Sequence, residues 1–241
     1  MIIIPAIDLR REKVVRLFQG RYDIEKDYHL SPFSVAEQFE KAGAKLIHLV
    51  DLDAARTGKP IHRDLILKLA KEVKAEIEVG GGIRTIETIS DYLENGVSRV
   101  ILGTAAHRDP NLVEQALKKF PKRIVIGIDA KEGKVAISGW EEKTGISALE
   151  LAKRYDCPEV RAIIYTEIER DGTLKGPALE QMGKILKAIK VPVIASGGVS
   201  SINDLLLLKK YEQDGLEGVI VGKAIYEKKI NLKEAIQQLA N

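Results

Sequence analysis

Two aspartates stand at the ends of apolar runs, where their carboxyl groups could move protons. Asp8 closes the run Ile2–Ile7, and Asp129 closes Arg123–Ile128. Two carboxylates across one cavity can divide the work of general acid and general base, one protonating while the other abstracts. A lone strand-end Asp more simply caps the next loop through its backbone N–H groups. Glycines recur in the same setting: Gly80-Gly81-Gly82, Gly103-Thr104, Gly197-Gly198 and Gly222-Lys223 each follow an apolar run. Glycine lets the backbone approach an anion, with N–H groups aimed at phosphate oxygens, or it simply makes a tight turn. Two such pairs on opposite sides of a mouth imply a substrate with a phosphate at each end, its middle lying between Asp8 and Asp129.

Positioning these residues takes a repeated scaffold. Eight near-continuous β-branched runs appear: Ile2–Ile7, Leu46–Val50, Glu76–Val79, Arg99–Leu102, Arg123–Ile128, Ala162–Tyr165, Val191–Ala195 and Gly218–Val221. Continuous rather than alternating hydrophobicity marks parallel strands covered on both faces. Between them lie amphipathic helical stretches, among them Ser34–Ala42, Asp64–Val73, Thr85–Asn95 and Ala178–Ile189. Leu65, Ile66, Leu69 and Val73, for instance, form one apolar stripe. Eight strand–helix units in 241 residues predict a single-domain α/β (β/α)8 TIM barrel, with a doubly wound open sheet as the competing fold. Lys13–Gln19 and Lys134–Ser138 read as short strands or hairpins inside the loops after the first and fifth staves, where barrels carry lids.

The halves resemble each other. A shift of 116 residues carries His48–Asp53 onto Ile164–Glu169 and Gly81-Gly82-Ile83 onto Gly197-Gly198-Val199. A shift of 121 carries Ala6-Ile7-Asp8 onto Gly127-Ile128-Asp129, and one of 119 carries Ile101–Ala105 onto Ile220–Ala224. The pattern predicts a half-barrel used twice, over about residues 1–120 and 121–241, with Asp8 and Asp129 on opposite staves.

Composition narrows the field. Apolar residues make up 45% and charged residues 30%, typical of soluble globular proteins. The net charge of +3, from 38 basic and 35 acidic residues well interspersed, does not suit a nucleic-acid binder. No apolar run is long enough for a membrane span, and the start carries no basic leader, so a cytoplasmic location is expected. Cys157 is the single cysteine, and His29, His62 and His107 lack ligand spacing, so neither a disulfide nor a metal site is expected. A monomer is expected.

Other residues carry two readings each. Thr166 and Asp171, at or just past the sixth stave, bind a substrate hydroxyl or hold a loop. Arg84, after Gly-Gly-Ile, pairs a phosphate or faces solvent, and Gly172 lies in the same loop as Asp171. Trp140, the only tryptophan, sits in the fifth-stave loop and could stack on a planar ligand. His48 reads as buried and satisfied inside the second stave.

The motifs together resemble a known family. Pro5–Arg10, Val15-Arg16-Leu17 with Gln19-Gly20, His48–Asp53, Gly80–Arg84, Gly127-Ile128-Asp129, Thr166-Glu167-Ile168 with Asp171-Gly172-Thr173, and Ala195–Val199 are similar to the ProFAR isomerase family of histidine biosynthesis. The resemblance spans essentially the whole chain. It implies a duplicated barrel, no cofactor, and an Amadori rearrangement of an aminoaldose to an aminoketose within a bisphosphorylated ribotide. By motif, Asp129 protonates the ribose ring oxygen, Asp8 abstracts the proton from the neighbouring carbon, Thr166 positions the sugar, and Trp140 stacks on the imidazole carboxamide. Gly81, Gly82, Arg84, Gly103, Thr104, Asp171, Gly172, Gly197, Gly198, Gly222 and Lys223 complete the candidate binding set. Arg11-Glu12 and Gly20-Arg21 depart from the family's usual glycine and Gly-Asp, both in the lid. Three rival readings remain: the cyclase subunit of imidazole glycerol phosphate synthase, an isomerase that also accepts phosphoribosylanthranilate, and a non-catalytic phosphosugar-binding barrel.

Overall fold

The computed structural model describes residues 1–240. Its strands are β1 (Ile2–Arg10), β2 (Lys13–Phe18), β3 (Arg21–Asp27), β4 (Leu46–Asp51), β5 (Glu76–Gly80), β6 (Arg99–Leu102), β7 (Ile124–Lys131), β8 (Lys134–Ile137), β9 (Glu142–Ser147), β10 (Val160–Glu167), β11 (Val193–Ser196) and β12 (Leu216–Val221). Each of the eight expected apolar runs forms a stave: β1, β4, β5, β6, β7, β10, β11 and β12 pair side by side in parallel. The ring closes where Ile2–Pro5 pair with Gly218–Val221. This is a (β/α)8 barrel in one domain, and the open sheet is excluded.

The staves are apolar on both faces because each packs two ways. Inward side chains Ile4, Ala6, Ile101, Val125, Ala162, Ile164, Ile194 and Ile220 fill the lumen. Outward ones, such as Ile7, Leu49, Val79, Ile126 and Val219, pack under helices. The helix over Arg63–Glu72 buries Ile66, Leu67 and Leu69, the stripe seen in the sequence. Helix starts are fixed locally: Thr85 accepts from Thr88 N, and Ser201 forms a capping box with Asp204.

Of the two forms expected for the loop strands, the hairpin holds: each continues, past the expected bounds, into a further antiparallel strand, β3 and β9, carried on a stave. Two features were not anticipated. Short helices, Leu52–Thr57, Thr104–Arg108 and Lys223–Tyr226, sit in the loops that follow staves. The fifth stave also runs to Lys131, so Asp129 lies within β7 and Asp8 within β1 rather than beyond their ends. No helix among the described residues is long and apolar enough to cross a membrane.

Candidate active site

Asp8 and Asp129 reach the same place by the same construction. Asp8 pairs with Val15 of its hairpin and Asp129 with Ala136 of its own, 121 positions on in both cases. Their side chains line one cavity of about 240 Å³ at the mouth where the staves end, as barrel sites do. Thr166, inside β10 rather than past it, is level with Asp129 across the β7–β10 pairing and is buried. Trp140, Asp171, Arg84, Gly81, Gly82, Gly103 and Thr104 line the same cavity. Gly172, Gly197, Gly198, Gly222 and Lys223 line a smaller hollow beside it, which shares Arg16 and Asp171 with the first. The sequence-derived set therefore converges on one end of the barrel, the third and fourth staves serving one hollow and the seventh and eighth the other.

The two carboxylates differ in their surroundings. Asp8 is ion-paired with Arg16 at 2.7 Å, and Arg16 also reaches Asp171 at 3.7 Å. Burial would lower the affinity of Arg16 for its proton, but the facing carboxylates of Asp8 and Asp171 raise it overall, so Arg16 is a fixed cation. Asp129 instead receives the Trp140 indole N–H at 2.8 Å. Burial pushes the Asp129 carboxyl above the ordinary range, against the pull of Trp140, the Thr166 hydroxyl and the charge of His48. Asp171 is also pushed up, by burial and by the negative charge of Asp8 and Asp129, with Arg16 opposing. The site thus holds two carboxylates that share Arg16, Asp8 and Asp171, and one, Asp129, that has no cation bonded to it; burial pushes Asp129 and Asp171 upward.

The glycines divide by cause. Gly81 and Gly197 have φ of +107° and +94°, and a Cβ on either would strike the carbonyl oxygen of Asp51 or of Glu167. Backbone crowding alone requires glycine there, whatever the loop binds. Gly103 and Gly222 differ: φ is negative at both, and each caps a short helix with nearly the same angles, −96°/−88° and −109°/−92°. A Cβ on Gly103 would meet nothing closer than 3.8 Å, so crowding does not explain that glycine. Lys223 donates to Gly172 O at 2.8 Å and lies over the Phe18 ring, at the rim of its hollow.

The lids close over this floor. Trp140 stands against Gly20, where a Cβ would overlap its ring, and Gln19 donates to Glu169 O at 3.3 Å. Thr104 accepts from Ser138 N, tying the fourth-stave loop to the fifth. Trp140 accordingly sits beside the expected ligand space but bonded to Asp129. Arg84 is exposed and lies over Gly58, while Arg21 pairs only with Asp23 at the surface. Two features were under-read in the sequence. Arg16, singled out in the sequence only as part of Val15-Arg16-Leu17, bridges two carboxylates; its signal was the single charge within Val14–Leu17. His48 lines the cavity rather than being enclosed, and it is bonded to Glu78. Among the described residues no group of His, Cys, Asp and Glu could hold a metal.

A family model described as "Histidine biosynthesis protein" matches residues 2–231. A Geobacter sulfurreducens protein named 1-(5-phosphoribosyl)-5-((5-phosphoribosylamino)methylideneamino) imidazole-4-carboxamide isomerase is 50% identical over 236 residues, which cover 98% of this chain and 97% of the relative. Proteins of the same name from Trichlorobacter lovleyi and Prochlorococcus marinus are 51% identical (98% of this chain, 96% of the relative) and 49% identical (98% and 92%).

Proposed function

The chain belongs to the histidine biosynthesis protein family, and from that premise we propose that it is the isomerase its relatives are named for, converting the aminoaldose ribotide ProFAR to its aminoketose. The match runs the length of both chains, and the relatives cited carry the isomerase's name, so neither the cyclase nor the dual-substrate reading is favoured. The observation that carries the mechanism is a pair of carboxylates at one mouth with unlike surroundings.

Asp129, whose carboxyl burial favours in the protonated form, gives its proton to the ribose ring oxygen and opens the ring to an imine. Asp8, ion-paired to Arg16, takes the proton from the adjacent carbon. Thr166 orients the sugar between them. Because Trp140 donates to Asp129, the indole leaves that carboxyl for ring opening and turns to the imidazole carboxamide. Arg84, Gly103 and Thr104 receive one phosphate; Gly197, Gly198, Gly222 and Lys223 receive the other. Gly81, Gly82 and Gly172 shape the loops between. One specific observation favours a second reading of the acid: Asp171 is also pushed up, and it faces Asp8 across Arg16. Each half-barrel supplies one carboxylate and one anion hollow, as expected of a duplicated ancestor. All of these groups come from one chain, so a monomer suffices.

Incubating the purified protein with ProFAR, with the product ribotide plus ammonia, and with phosphoribosylanthranilate tests the assignment. Turnover of ProFAR alone is the expected result. Cyclisation of the product ribotide would overturn it.

A further inference from the structure

One column of charge in the lumen has no part in the two-carboxylate scheme. His48 and Glu78 are register partners on β4 and β5, and His48 Nδ1 lies 2.8 Å from Glu78 Oε1. Glu78 is 0% exposed, and its other oxygen has no hydrogen-bond partner among the described residues. That oxygen lies 3.9 Å from Arg99, which stands 3.6 Å from Glu217; Arg161 grips Glu217 with two bonds of 2.6 Å. A buried carboxylate with one oxygen unmet is costly and serves poorly as a brace. It does suit a partner for a working imidazole: accepting Nδ1–H fixes the tautomer and leaves the Nε2 lone pair free.

Nε2 of His48 makes no hydrogen bond to the described residues, and His48 lines the cavity with Asp8 and Asp129. At the matching place in the second half, 116 residues on, stands Ile164. The imidazole is therefore one-sided, in keeping with a substrate of which only one sugar is rearranged.

We propose that His48, oriented by Glu78, is a third catalytic group that takes the hydroxyl proton from the carbon becoming the carbonyl and returns it to Asp129. The inference rests on the isomerase reading. Asp129 protonates the ring oxygen as the nitrogen lone pair forms the C1=N iminium and the C1–O bond breaks. Asp8 takes the C2 proton; that C–H pair becomes the C1=C2 bond, and the C=N π pair returns to nitrogen. His48 Nε2 then takes the O2–H proton, and the O–H pair becomes the C2=O π bond. The C1=C2 pair meanwhile takes, at C1, the proton held on Asp8. The imidazolium passes its proton to the Asp129 carboxylate, and all three groups are back where they began. His48 and Asp129 line the same cavity, so the proton has a short way to travel.

Steady-state turnover of ProFAR by the full-length protein, as wild type, His48→Asn and Glu78→Gln, with and without added imidazole, tests this. His48→Asn should lower kcat about 100-fold with KM changed only a few-fold, and imidazole should restore part of the loss. Glu78→Gln should lower kcat about tenfold. A raised KM with undiminished kcat, or a loss that imidazole does not restore in folded His48→Asn, overturns the role. Should His48→Asn not fold, Glu78→Gln decides, and an unchanged kcat there rejects the proposal. A wild type inert toward ProFAR breaks the isomerase reading itself, whereas an active wild type with undiminished variants breaks only the role of His48.

Discussion

Asp51 and Glu167 occupy matched positions 116 residues apart at the ends of β4 and β10, yet their bonding differs. Asp51 caps the helix over Leu52–Thr57 through Ala54 N at 2.8 Å and also accepts from His62 N at 2.9 Å. Glu167 accepts only the Tyr165 hydroxyl, at 2.9 Å, and its second oxygen is buried without a partner. The loops that follow diverge in the same way. In the first half Asp53 joins His62 to the lid backbone at Arg11, while in the second Asp171 turns inward to Arg16. The first half has spent its loop carboxylates on bracing, and the second keeps one for the site. A common frame thus permits unequal duties, which a substrate with two unlike arms demands.

The sharpest way to break this comparison is at the pair the halves share. Asp8→Asn and Asp129→Asn should each cut kcat about 1000-fold while equilibrium binding of the ribotide stays within a few-fold. If Asp171→Asn matches that loss and Asp129→Asn does not, the acid belongs to the sixth-stave loop and the symmetry of roles is lost. Next in size is the glycine pair. A Cβ at Gly81 would overlap Asp51 O more severely than one at Gly197, which would stop 2.9 Å from Glu167 O. Gly81→Ala should therefore cost about 3 kcal/mol and Gly197→Ala about 1–2 kcal/mol in denaturant unfolding. Equal costs would mean that the halves are equally rigid there.

The smallest effect concerns Glu167. Burial pushes its carboxyl above the ordinary glutamate range, with the Tyr165 bond opposing. An acid whose folded-state pKa is raised stabilises the fold at low pH relative to neutral, and that contribution is lost as pH climbs from the unfolded value through the folded one. Glu167→Gln should accordingly stabilise by about 1 kcal/mol at pH 8 and by almost nothing at pH 4. Asp51→Asn, which sets an amide against two N–H donors, should instead destabilise by about 2 kcal/mol. Thermal melts at both pH values would show whether the two carboxylates differ as their bonding implies.

The staves were legible because each is apolar on both faces, and a parallel strand between lumen and helices admits little else. Asp8 and Asp129 were legible because they end such runs at repeated positions. β3 and β9 were not: Arg-Tyr-Asp-Ile-Glu-Lys-Asp and Glu-Lys-Thr-Gly-Ile-Ser lie largely at the surface, so no burial pattern marks them. The Glu78–Arg99–Glu217 column was hidden for a different reason. Each member is a single polar residue in or beside an apolar run, and only closure of the ring brings the three together. The glycines were visible, but not why each is glycine; that depended on which carbonyl stood opposite.

Asp8 stands in register with the hairpin on one side and with the second stave on the other, opposite Val15 and Val50. The flap over the opening is therefore an extension of the very segment that carries Asp8. Access and aim share one piece of backbone, so a substitution far out on the hairpin should be felt at that carboxylate as well as at the entrance.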